Sequence, residues 1–197
     1  MADPQADKPS ILDNLSGAWL VMNGHAAGLA RLDVSINGFW RSFAAIFLLA
    51  PYLILGLMDQ RLLRESSEPA LAATASDNTP LQLVATGVDW VVFPLAFALL
   101  ARPLGVADRY VPFIVARNWA AVIASAFFAL VTIAHLLGIA SDAALPYLLI
   151  IMLGVTLRFS YLIVRTTLEV PVAVALPIVF LDILLSLVVQ VGFARLM

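Results

Sequence analysis

Five apolar stretches, each long enough to cross a bilayer, fill most of the chain after residue 40. A crossing helix needs about 20 consecutive apolar residues. Five such runs in one chain specify an all-α, polytopic membrane protein built as a five-helix transmembrane bundle. The bulk composition agrees. Hydrophobic residues make up 62% of the 197 positions and charged residues only 12%, whereas a soluble domain keeps roughly a quarter of its residues charged.

The spans are expected at about 42–58, 84–101, 113–137, 144–164 and 171–193. Phe39, Trp40 and Arg41 form an interfacial anchor before the first. Pro51 is expected to kink the first span near its middle, and Pro94 interrupts the second. Residues 59–83 read as a solvated polar loop, with room for a short helix at 59–66. Trp40, Trp90 and Trp119 fall near expected span ends, as an aromatic belt requires.

Residues 1–9 are polar, carry two prolines and read as a disordered tail. Residues 10–41 differ: Ile11, Leu12, Leu15, Trp19 and Met22 recur at helical spacing, with Ser10 as N-cap. Leu29, Leu32 and Ile36 follow a break at Gly24–Gly28. One reading lays this amphipathic segment in the membrane interface, with Trp19 at headgroup depth. The other packs it as an ordinary helix beneath the bundle. Acids at Asp3, Asp7 and Asp13 and the shortness of Ala18–Met22 argue against a secretory signal.

Positive charge near span ends sets the orientation. With the N-terminus inside, Lys8, Arg31, Arg41, Arg102, Arg109 and Arg165 face the cytoplasm, and Arg61, Arg64 and Arg195 face out. The expected location is a bacterial cytoplasmic (inner) membrane, with a periplasmic C-terminus.

Several function classes lose their support. There is no cysteine, so disulfides, thiolate catalysis and cysteine-based metal sites are excluded. A net charge of −2 gives no basic surface for nucleic acid. His25 and His135 are the two histidines and are expected on opposite sides of the membrane. No zincin, nucleophile-elbow, phosphate-loop or dinucleotide fingerprint is present. No cofactor, metal or catalytic residue is assigned.

Ionisable groups inside a span are costly, so they have a partner or a task. Asp89, Arg117, His135, Arg158 and Asp182 qualify. Asp182 sits near the middle of the fifth span, and Arg158 and Arg117 are rival partners for it. The network Asp182, Arg158 and Arg117 reads either as an ion relay or as a salt bridge joining helices. Asp89, expected in the first turn and a half of its helix, and His135 form a candidate outer-face pair.

The arrangement of residues 10–193, an amphipathic segment followed by five closely spaced helices, resembles the Yip-type family. The DLYGP-like signature of that family's first helix is absent, and Ala50-Pro51-Tyr52 is only an echo of it. The resemblance implies the five-helix fold and, by its eukaryotic members, an association with membrane trafficking. Gly38-Phe39-Trp40-Arg41-Ser42-Phe43 resembles small alphaproteobacterial inner-membrane proteins of unassigned function. Neither likeness carries a site residue.

These readings lead to two expectations. The first is a non-enzymatic scaffold or assembly protein, in contact with the lipid bilayer and with protein partners or further copies of itself. The second is a small transporter or channel lined by Asp182, Arg158 and Arg117.

Overall fold

A computed structural model of the chain describes residues 9–65 and 79–196. The expected tail and the middle of the polar 59–83 segment lie outside the described residues. What is described is helical, with no strand. Helix α1 spans Ile11–Met22 and is followed by a 3₁₀ turn at Ala26–Arg31. Helices α2 (Ile36–Ala44) and α3 (Ala50–Glu65) are joined by a 3₁₀ stretch at Ala45–Leu49. Then come α4 (Thr79–Ala101), α5 (Tyr110–Leu136), α6 (Leu145–Leu168) and α7 (Val172–Ala194). Among the described residues, five helices are long and apolar enough to cross a membrane, with α2 and α3 together forming the first, Ile36–Gln60. The protein is an integral membrane protein of the five-helix class.

Local chemistry explains where the first span begins and bends. It starts before residue 42 because Ser35 caps α2: its Oγ accepts the Gly38 N–H at 3.0 Å. Asp33 Oδ1 in turn accepts the Ser35 N–H and hydroxyl at 3.2 and 2.6 Å. Pro51 has no N–H to offer the Phe47 carbonyl. The Ala50 N–H takes that carbonyl instead, which tightens the preceding residues into the 3₁₀ stretch. The bend therefore lies just ahead of the proline.

Helix α4 begins at Thr79, earlier than the expected 84, and Pro94 stays inside it without breaking it. Helix α6 ends at Glu169, a non-glycine residue with φ 53°. That strained C-cap is held by Arg109, whose Nη1 lies 2.6 Å from Glu169 Oε1.

Helix α5 is the hub. It packs against α1, against the α2–α3 span and against α6. Consecutive residues Phe113, Ile114, Val115 and Ala116 are all buried, which a one-sided helix could not achieve. Asn118 Nδ2 donates to Ser42 Oγ at 3.0 Å, and His135 meets Asp59 at 2.5 Å. Both pairs are separated by the same 76 residues. The first span and α5 therefore run parallel and in register between those two contacts, over about 25 Å. Helix α7 lies on α6, and α4 leans on α7 with little contact to α5. That leaves a gap between α4 and α5.

The N-terminal segment packs on the flank of α5 and α6. Its buried face is Asn14, Gly17, Ala18, Val21 and Met22, which shares only Met22 with the expected stripe. Of that stripe, Ile11, Leu12 and Trp19 are 47%, 76% and 44% exposed. The reason is backbone proximity. Gly17 faces Gly28 across the hairpin, and a Cβ on Gly17 would lie 2.8 Å from the Gly28 carbonyl. Only the narrow face of α1 can approach that closely. Asn14 closes the hairpin by accepting the Asp33 N–H at 2.9 Å. Ser10 and Asp13 form a capping box that starts α1. Gly24, at φ +83°, makes the turn. The Trp19 ring lies 6.1 Å from Phe127 and 6.0 Å from Phe159.

A Cβ on Gly28 would meet the Gly17 carbonyl, Leu20 and Val21, while one on Gly192 meets nothing within 4 Å. Gly28→Ala is therefore expected to cost about 1–3 kcal/mol of stability by overpacking. Gly192→Ala should leave thermal unfolding in detergent unchanged.

Candidate functional site

Arg117 projects from α5 and Asp182 from α7, two helices that do not pack closely side by side. Their side chains bridge the space. Arg117 Nη2 donates to Asp182 Oδ1 at 2.7 Å and Nε to Oδ2 at 3.3 Å. The guanidinium fork matches both carboxylate oxygens, the strong geometry for such a pair. Phe93 of α4 lies beneath it, with the guanidinium carbon 4.7 Å from the ring centre. Both partners are mostly shielded, at 18% and 26% side-chain exposure.

The pair stands in the wall of a cavity of about 450 Å³ between α4, α5, α6 and α7, with Tyr52 of α3 on its rim. The space exists for two reasons. Helix α4 leans away onto α7. The face of α5 that looks into the gap carries small side chains: Ala120, Ala121, Ala124 and Ser125. Asp89 enters from α4 with the Ser186 hydroxyl beside it. The remaining polar lining comes from Thr156 and Ser160 of α6. Phe113, Phe128 and Phe159 complete an aromatic wall with Phe93 and Tyr52.

Arg158 does not join the network. It is exposed, and its guanidinium lies 5.7 Å from the ring of its neighbour Phe159. Phe159 and Ile163 turn the packed face of α6 inward, and Arg158 falls about 100° around the helix from Phe159. Of the two rivals, Arg117 is the residue beside Asp182.

Asp89 and His135 do not pair either. Because α4 starts at Thr79, Asp89 sits near mid-helix rather than in the first turns. His135 has other partners. Its Nδ1 lies 2.5 Å from Asp59 Oδ1 and its Nε2 2.9 Å from Asp142 Oδ1. Both ring nitrogens face acceptors, so the doubly protonated ring satisfies both contacts. The cluster ties α3, α5 and the turn before α6 together, away from the cavity.

The tryptophans divide. Trp40 is 66% exposed, as a belt residue would be, but Trp90 and Trp119 are 7% and 5% exposed. Those two pack within the bundle, and among the described residues Trp90 Nε1 has no hydrogen-bond partner.

The hydroxyls were the overlooked part of the site. Asp182/Ser186 on α7 and Thr156/Ser160 on α6 are each spaced four apart, which places each pair on one helix face. That spacing was the available signal. Asp59 was missed as a partner because it falls where the sequence turns polar. Among the described residues, no group of three or more His, Asp and Glu is placed to hold a metal ion.

No protein-family model, curated protein or solved structure matches this chain.

Removing one partner of a shielded pair leaves the other unsatisfied. Arg117→Gln and Asp182→Asn should each lower stability by about 1–3 kcal/mol. The double variant should lose less than the sum, with a coupling of about 0.5–3 kcal/mol in a double-mutant cycle. Asp89→Asn and His135→Gln share no partner, so their effects should add to within about 0.5 kcal/mol. A larger coupling would restore the outer-face pair.

Proposed function

We propose that this is a small membrane carrier or channel whose binding site is the cavity around Arg117, Asp182 and Asp89. The observation that carries the reading is the meeting of three ionisable side chains on one cavity wall within the spans. A salt bridge that only joins helices needs no adjoining space, and a packed interior would fill it. Here the ion pair, a second carboxylate and four aliphatic hydroxyls line about 450 Å³, within the range of small-molecule sites.

The scaffold reading drew on a surface-lying N-terminal segment. Helix α1 instead packs on α5 and α6, so that segment gives the scaffold less support than the cavity gives the carrier. The positive-inside bias supports a cytoplasmic N-terminus.

The chain has no cysteine, so single-cysteine variants report without background. Ser125→Cys and Ser160→Cys place a thiol in the cavity wall, and Leu99→Cys, with its side chain 79% exposed, places one toward lipid. In proteoliposomes, a water-soluble, membrane-impermeant thiol reagent should label the two cavity positions and spare position 99. Labelling from one face only would indicate which end opens. Failure to label either cavity position from either face would make the cavity a closed packing void and return the scaffold reading to first place.

A further inference from the structure

We infer that the cavity takes a small organic monocation, an ammonium or similar head with an apolar body, and that Asp89 is its counter-charge. The inference rests on the carrier reading and names its ligand class.

The charge balance points this way. Among the described residues, Arg117 is the one base in the cavity wall, against two acids, Asp89 and Asp182. Arg117 is already committed, with two donors on Asp182 and its face on Phe93. Asp89 has the Ser186 hydroxyl beside it but, among the described residues, no ion-pair partner of its own. Both Arg117 and Asp182 lie near enough for their charges to act on it. With every group ionised the wall carries one excess negative charge, which a single positive ligand would neutralise. An anion would have to approach two carboxylates for one occupied guanidinium.

Size and lining choose between kinds of cation. About 450 Å³ is far more than a bare metal ion fills, and hard metal ions need six or more oxygens converging on a point. The wall instead offers aromatic side chains, Tyr52, Phe113, Phe128 and Phe159 among them. Aromatic faces with a nearby carboxylate suit a weakly hydrated organic cation.

The test uses the full-length Ser125→Cys protein in lipid nanodiscs, labelled with N-ethylmaleimide. The probe is benzyltrimethylammonium, whose fixed charge cannot be shed as a proton. Its comparators are neopentylbenzene, a neutral isostere, and benzenesulfonate. The cation at millimolar concentration should slow labelling about tenfold or more, and the comparators should not. Asp89→Asn should abolish the protection, and Asp89→Glu should retain it. The Glu variant guards against mere misfolding, as does a single symmetric peak on size exclusion. Equal protection by neopentylbenzene would overturn the inference in favour of an apolar pocket. Stronger protection by benzenesulfonate would overturn it in favour of an anion site on Arg117. Protection that survives Asp89→Asn would remove Asp89 from the role. If neither Ser125→Cys nor Ser160→Cys reacts, the carrier reading itself fails. If it reacts and the cation does not protect, only the ligand class fails.

Discussion

Helices surrounded by lipid gain little from hiding apolar side chains, because the lipid tails are equally apolar. Close packing and polar contacts between helices must then decide their arrangement. In this chain those polar contacts radiate from α5. Asn118 reaches Ser42 and His135 reaches Asp59, which fixes the first span in parallel register. Arg117 reaches Asp182, which ties α7 across a gap that backbone packing does not close. Three polar residues on one helix thus set the positions of two others. The apolar contacts of Phe113 through Ala116 fill in around them.

Much of this arrangement was legible in the sequence, and the reason is that the membrane simplifies the problem. Span length and hydropathy depend on local composition, so five spans could be read directly. Asp182 stood out because a carboxylate within an apolar run is rarely accidental. What could not be read was angular position on each helix. Arg158 and Arg117 were both within reach of Asp182 by depth alone. Rotation about the helix axes separates them, and rotation depends on packing with neighbours. The same limit applies to Asp89 and His135. Their pairing assumed that α4 began near residue 84, and five further residues at its start moved Asp89 inward.

The N-terminal segment shows a different limit. Periodicity marks Ile11, Leu12, Leu15, Trp19 and Met22 as one apolar face. Of these the structure buries Met22, and beside it Asn14, Gly17, Ala18 and Val21. In water the larger apolar face would turn inward. Against lipid both faces are tolerated, so steric fit decides, and the glycine face fits closest. In the sequence Gly28 only closes the glycine-bearing break that starts at Gly24. It acts in a backbone contact with Gly17, a pairing that only the three-dimensional hairpin brings together.

That hairpin is also part of the cavity. Met22, the last residue of α1, is 1% exposed and contributes to the cavity wall with Phe159 and Ile163. Its position follows from the packing of α1 on α5 and α6, with the hairpin closed behind it by the turn at Gly24 and the Gly17–Gly28 contact. A methionine suits such a position, since its unbranched thioether conforms to an irregular space. The N-terminal segment and the spans are in this sense one packing problem. The ion pair holds the cavity across its width, and the hairpin completes its flank.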